Sequence, residues 1–263
     1  MIRCSLSSRL CRIARDFPNV VAVKEASGSL EQVDEIIKAP LWAVTDPWTR
    51  AIMEEKGLPQ DRLRVTGFPV NPVLGALAKE HPLSWKEGEP FRVLYFAQRS
   101  ARHARAELAG MLDANPALHV TCILGRRFRR IYPRIRDLRA RYGRRLTVRG
   151  WTRRVPSYLA ASHVVVGKAG GATVHEVLAA ARPMLVNFLL PGQEEGNTRL
   201  LEKLGGGGHV PDVRALASAL QEMMADGGAQ WRRMHENLLR AGMTGGSGRI
   251  ADLALKLAEE HTN

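Results

Sequence analysis

From Phe91 onward, short apolar runs alternate with segments of helical periodicity, and no other feature constrains the fold of this chain as tightly. Phe91–Phe96 reads as a strand, Ala101–Ala114 as a helix and 118–124 as a strand again. The spacing then predicts a helix over 133–142 and strands at 146–149, 163–166 and 184–188, with helices between and after them, one of them over 172–181. The strand-like runs are almost wholly apolar, as strands covered on both faces are. Strands and helices alternating at this pitch imply an α/β fold with a doubly wound parallel sheet. Beyond Pro211 the tail reads as three helical segments, broken at Gly227-Gly228 and at Gly245-Gly246-Ser247-Gly248. No internal repeat interrupts this pattern.

One junction in it carries chemistry. Gly167-Lys168-Ala169-Gly170-Gly171-Ala172-Thr173-Val174-His175-Glu176 ends one strand and opens the next helix. Small residues there leave backbone N–H groups and the positive end of a helix dipole bare at one spot, which suits a phosphate. One strand later, Pro191-Gly192-Gln193-Glu194 with Asn197 supplies polar groups able to grip hydroxyls. A phosphate cradle beside a hydroxyl-binding loop suggests a nucleotide-sugar site. Taken singly, each residue has a plainer reading. Gly170-Gly171 makes a tight turn, Thr173 is an ordinary first-turn residue, and Glu176 complements the helix dipole. His175 is expected at an exposed or edge position of the helix, and His163 where its strand begins.

Charge adds a second theme. Lys and Arg total 39 against 26 acids, a net charge of +13, and the excess is concentrated. Between Arg126 and Arg154 stand thirteen arginines and one acid, Asp137. Ile131, Ile135, Leu138 and Tyr142 recur there at helical spacing, so one face packs inward while the arginines point out. Such a block suits an anionic partner, nucleic acid or an acidic membrane leaflet, and equally a solvated helix face. Phe128, Tyr132 and Tyr142 do not alternate with arginines as a base-stacking platform would. That favours an anionic membrane surface over nucleic acid. No apolar run approaches the ~18–20 residues of a membrane span. The odd, scattered cysteines Cys4, Cys11 and Cys122 fit a reducing cytosol and exclude a disulfide framework. The first residues lack the apolar stretch of a secretory signal. Together these point to a cytoplasmic, peripherally membrane-associated protein.

Upstream, Gly67-Phe68-Pro69-Val70-Asn71-Pro72 reads as a rigid extended turn, and the domain boundary is placed there. The segment before it, with a strand at 41–45 and a helix at 47–56, is too small to make a core alone.

Val65-Thr66-Gly67-Phe68-Pro69-Val70-Asn71-Pro72, Gly150-Trp151-Thr152, the 167–176 loop and the Pro191-to-Asn197 loop occur in an order and spacing that resemble family 28 glycosyltransferases. Within that family the likeness is to monogalactosyldiacylglycerol synthases and the processive diacylglycerol glucosyltransferases, over residues 41–263. The resemblance implies the C-terminal half of a GT-B fold: 73–263 as a UDP-sugar-binding Rossmann-like domain and 41–72 as a remnant of the acceptor domain and hinge. It also implies that Gly170, Gly171, Ala172 and Thr173 hold the diphosphate, with Lys168 near a phosphate. Glu176 would accept hydrogen bonds from the ribose, and Gln193 and Glu194 would read the sugar hydroxyls. Asn197 would close the site, and Gly150-Trp151-Thr152 would face the uracil edge. The reaction implied is an inverting transfer to a lipid acceptor, with UDP-sugar as donor substrate and no further cofactor. No Asp-x-Asp metal motif is present.

The chain departs from the family in two places. Ala169 stands where relatives carry proline, and 97–103 (Ala-Gln-Arg-Ser-Ala-Arg-His) replaces a glycine-rich loop. Residues 13–38 resemble instead the dihydrodipicolinate synthase family around its Schiff-base lysine, here Lys24. That chemistry needs a whole (β/α)8 barrel, so residues 1–40 are expected to be an unrelated or chimeric segment. On this reading the acceptor domain and its general base are largely missing, no catalytic residue can be named, and the donor half alone is inactive. It would act with a separate acceptor-domain subunit or not at all. The other function classes are a non-catalytic basic module that binds anionic lipid or nucleic acid, and a lyase resting on Lys24.

Overall fold

The structure, a computed structural model, describes residues 41–80, 83–190, 192 and 194–260. The expectations for 1–40, Lys24 among them, and for Gln193 therefore lie outside the described residues. The described residues form two compact units, 41–69 with 245–260, and Val70–Thr244.

The smaller unit holds two short parallel strands, β1 (Trp42–Val44) and β2 (Leu63–Val65), joined through helix α1 (Pro47–Glu55). Asp46 caps α1 by accepting from the Thr49 N–H at 2.8 Å, and Pro47 occupies the first turn, where its missing N–H costs nothing. The last helix of the chain (Gly246–Glu260) groups with this unit, where the sequence placed it in the domain that begins at residue 73. Its Arg249 donates from Nε to the Thr66 carbonyl at 2.6 Å, which ties the helix to the end of β2.

The larger unit is a six-stranded parallel sheet flanked by helices. It begins with α2 (Val73–Glu80), then β3 (Phe91–Phe96), α3 (Ala101–Ala114), β4 (Leu118–Ile123), α4 (Arg136–Tyr142), β5 (Leu146–Arg149), α5 (Val155–Ala161) and β6 (Val164–Lys168). It continues through α6 (Gly171–Ala179), β7 (Met184–Phe188), α7 (Glu195–Lys203), β8 (Gly207–His209), α8 (Val213–Met224) and α9 (Ala229–Ala241). The strand order is β5-β4-β3-β6-β7-β8. The chain thus winds outward one way from β3 and the other way from β6, the arrangement of a doubly wound Rossmann-like sheet.

Burial explains the apolar strands. Val164, Val165 and Val166 are all fully buried, as are Leu94, Tyr95 and Met184. One face is sealed by α3 and α8, whose Leu108, Met111, Leu216 and Leu220 join the core. Trp231 of α9 is the largest fully buried side chain among the described residues; its indole N–H donates to the His163 carbonyl at 2.9 Å.

Two local expectations needed correction. The helix anticipated over 133–142 is broken at Ile135 (φ −126°), leaving a 3-10 turn, Tyr132–Arg134, and then α4. Arg105 spans the break, gripping Asp137 through its two Nη atoms at 2.6 Å and bonding the Arg134 carbonyl at 3.0 Å. Strand β8 was not anticipated at all. Its Gly207 lies at φ +150°, and a Cβ there would stand 1.8 Å from the Met184 carbonyl oxygen, so only glycine lets this edge strand pair with β7.

Candidate functional site

In an open parallel sheet, ligands collect at the carboxyl ends of the strands where the winding direction reverses. Here that point lies between β3 and β6, paired from Val93↔Val164 to Tyr95↔Val166. The loops leaving these two strands, 97–100 and 169–170, therefore face one crevice.

The second loop runs straight into α6. Gly170 is the N-cap residue (φ −64°, ψ 139°), and among the described residues no side chain caps the helix, so the first N–H groups of α6 have no intrahelical or described side-chain partner. Around this loop the structure draws together several of the expected residues. Lys168 Nζ lies 2.5 Å from Glu194 Oε1, and a Cβ on Gly170 would meet Lys168 Nζ at 3.4 Å and Glu194 Oε1 at 3.7 Å. Asn197, on the first turn of α7, donates from Nδ2 to the Ala169 carbonyl at 2.8 Å. Ala172 is exposed and Thr173 partly so, both on the opening turn of α6.

Glu194 has an environment the sequence did not suggest. It is 3% exposed, with one oxygen on Lys168 and the other accepting the Leu190 N–H at 3.1 Å. Its carboxylate braces the loop from within. Glu176 differs: half-buried, it has no side-chain partner among the described residues, and burial raises its pKa above the ordinary carboxylate value. His175, expected near the surface, is buried, with Nδ1 2.8 Å from the Gly171 carbonyl oxygen.

Gly150, Trp151 and Thr152 follow β5, three strand spacings or about 14 Å from β6. Gly150 packs against the Phe128 ring, Trp151 is 60% exposed with Arg153 over its face at 5.7 Å, and Thr152 Oγ1 accepts the Arg154 N–H at 3.0 Å. They line the same carboxyl edge of the sheet without touching the Gly170 loop.

A buried polar cluster escaped the sequence reading. Glu107 of α3 is 3% exposed, and its Oε2 accepts both the Tyr95 hydroxyl and Asn187 Nδ2, the latter at 2.8 Å. Its Oε1 faces Arg99 Nη1 at 3.5 Å. Burial first, then the Glu107 charge, pushes the Tyr95 pKa well up. Asn187 is the extra residue of a bulge: Gly167 pairs with Val186, but Lys168 pairs with Phe188. Such irregularities often re-aim a side chain beside a site. Near the other side of the 97–100 loop, a cleft of about 190 Å³ is lined by Ser100, Ala101, Arg102, Arg130 and Arg134.

Comparison with known proteins agrees with this architecture. No family model matches the sequence. The chain is similar to the UDP-N-acetylglucosamine--N-acetylmuramyl-(pentapeptide) pyrophosphoryl-undecaprenol N-acetylglucosamine transferase of Nitrobacter winogradskyi, 26% identical over 79% of this chain and 59% of that one. A probable monogalactosyldiacylglycerol synthase 2 of Oryza sativa subsp. japonica is 26% identical over 78% and 42%. A processive diacylglycerol beta-glucosyltransferase of Staphylococcus carnosus is 24% identical over 65% and 44%. The chain thus spans about three fifths of the first relative and under half of the other two. Among solved structures, the UDP-GlcNAc 2-epimerase of Neisseria meningitidis superimposes with a TM-score of 0.65 at 13% identity, covering 95% of this chain and 72% of that one. MurG of Acinetobacter baumannii gives 0.61 at 14%, covering 88% and 64%. These two share the fold. The relatives bear out the resemblance to family 28 glycosyltransferases, whereas the likeness of residues 13–38 to dihydrodipicolinate synthases gains no support from them.

Proposed function

From its kinship with family 28 glycosyltransferases, we propose that the larger unit binds a UDP-sugar in the crevice between β3 and β6. On this reading the chain is the donor-binding part of a hexosyltransferase with a diacylglycerol-type lipid acceptor. The observation that carries the proposal is the uncapped N-terminus of α6, opened by Gly170 and Gly171 at the point where the sheet reverses its winding. Those N–H groups are aimed where a diphosphate gathers charge as it departs, which stabilises the transition state of transfer. Glu176, lacking another partner, accepts the ribose hydroxyls. The exposed edge at Gly150-Trp151-Thr152 takes the uracil, at a distance an extended nucleotide spans. Lys168, held by Glu194, presents its remaining N–H donors to the phosphates, and Asn197 keeps the loop in register. Gln193 completes the set as a sugar-reading amide. The transfer is inverting and draws its base from outside this donor site.

Gly170→Val tests the assignment. The backbone there has a negative φ and ordinary room for a Cβ, so the fold survives while the branched side chain fills the anion space. Titration with UDP, UDP-glucose, UDP-galactose and UDP-N-acetylglucosamine should show binding that Gly170→Val abolishes. Unchanged binding in a folded variant would remove the cradle from the account.

The arginine face favours a second, compatible reading. Arg126, Arg129, Arg130, Arg134, Arg136, Arg144, Arg153 and Arg154 are exposed with no carboxylate partner among the described residues, and Trp151 stands exposed beside them. Among the described residues no helix is long and apolar enough to cross a membrane. We propose that this face rests on an anionic lipid surface, where each arginine contributes about 1 kcal/mol.

A further inference from the structure

We propose that Arg99 grips the diphosphate of the nucleotide donor and that Glu107 is its positioning residue, the pair replacing the backbone cradle that a glycine-rich loop would provide. This inference rests on the UDP-sugar reading above. The loop after β3 holds no glycine between Ala97 and His103, so its backbone cannot come as close to a phosphate. A long cationic side chain can act from further away.

Arg99 lies where such a group is needed. It leaves the loop after β3, on one side of the reversal point, and its guanidinium sits over the Phe188 ring at 5.3 Å. Phe188 belongs to β7 and is the register partner of Lys168, the last residue of β6. The side chain therefore reaches past the end of β6, beside the stem of the Gly170 loop. The Phe188 ring bounds one side of the guanidinium, and Glu107 holds one corner at 3.5 Å. A guanidinium carries five N–H donors. One is directed at Glu107 and 27% of the side chain remains exposed, which leaves most of the fork for a bidentate hold on phosphate.

Glu107 is hard to explain by stability alone. A carboxylate buried to 3% exposure carries a desolvation penalty of several kcal/mol, and an apolar residue of similar size usually serves the core as well. Instead the fold spends three side chains on orienting it. Tyr95 comes from β3, Asn187 from the bulge in β7, and Arg99 from the loop between β3 and α3. Among the described residues, Arg99 is the one cation paired with it. The cluster points the carboxylate's other oxygen at Arg99, on the loop that faces the crevice.

Titration of the full chain with UDP and with uridine separates this role from a structural one. The wild type should bind both, UDP more tightly. Arg99→Ala should weaken UDP roughly 10- to 100-fold, the worth of charge-assisted hydrogen bonds, and leave uridine unchanged. Arg99→Lys should recover only part of the loss, since an ammonium cannot hold phosphate through two parallel bonds, and it carries the test if the alanine variant fails to fold. Glu107→Gln keeps the shape and loses the charge; it should weaken UDP but not uridine, by a smaller factor. If Arg99→Ala and Arg99→Lys bind UDP as the wild type does, the assignment is overturned while the donor site stands. If the folded wild type binds neither ligand, the UDP-sugar reading itself fails, and this inference with it.

Discussion

Glu176 is a half-buried carboxylate with no side-chain partner among the described residues. Its folded-state pKa lies above the unfolded value because burial disfavours the charged form. The unfolded chain therefore gives up this proton at lower pH. Stability falls as pH rises through the ordinary carboxylate range toward the folded-state value, and the loss persists at neutral pH. Glu176→Gln should accordingly raise the melting temperature of the unliganded protein at pH 7. The gain should vanish at acid pH, where both states are protonated. Calorimetry across pH checks this, and a lower melting temperature at pH 7 would mean the carboxylate already has a stabilising partner. The sequence could group Lys168, Gly170, Glu194 and Asn197 because they fall on two short junctions, which the structure draws together. It did not reveal the internal pairing of Glu194 with Lys168, since periodicity says nothing about which side chains meet. The Glu107 cluster was hidden for a similar reason. Glu107 and Asn187 lie 80 positions apart, and each sits in a pattern that reads as ordinary helix or strand.

At the scale of elements, the packing of α3 on α8 depends on Gly110. A Cβ there would lie 2.2 Å from Val213 Cγ1 and 3.8 Å from the Val213 carbonyl oxygen. At an open helical site, Gly→Ala stabilises by up to about 1 kcal/mol. Here Gly110→Ala should destabilise by about 1–3 kcal/mol, the usual range for overpacking. The double variant Gly110→Ala/Val213→Ala should recover much of that loss, a coupling that denaturant unfolding measures directly. Additive effects would show that the two helices separate freely. The alternation of strands and helices was readable because buried parallel strands are continuous apolar runs. The glycine-rich β8 was not, because its pairing comes from the absence of side chains. At the break, the Arg134 carbonyl accepts from Arg105, about thirty residues earlier in the chain, a contact that no local propensity encodes.

Over the whole molecule, two electrostatic features set behaviour in solution. His163 is buried between Phe91 and Trp231, with Nδ1 accepting the Arg92 N–H at 2.8 Å, and burial pushes its pKa down to about 4. The native state thus holds the ring neutral. As pH falls below about 6.5 the unfolded state takes up the proton first, so stability declines from there toward pH 4, by about 3 kcal/mol in all. Unfolding free energies of His163→Gln should be lower at pH 7 but fall less steeply over that window. An equal slope would assign the acid sensitivity elsewhere. The arginine face makes the second prediction. The chain should sediment with phosphatidylglycerol vesicles and not with phosphatidylcholine, and salt should release it. Arg129→Glu/Arg130→Glu should weaken that binding about tenfold or more; equal binding to both vesicles would locate membrane contact elsewhere.

If the larger unit is a folded donor site for uridine diphosphate, the ligand must stabilise it against heat. Thermal unfolding with and without millimolar UDP, on the wild type and Glu176→Ala, reads this out. A ligand at 100 times its dissociation constant adds about 2.7 kcal/mol to the folded state. The melting temperature should rise by several degrees for the wild type and by little or nothing for the variant. A cooperative transition that UDP leaves unmoved in the wild type would contradict the donor-site reading.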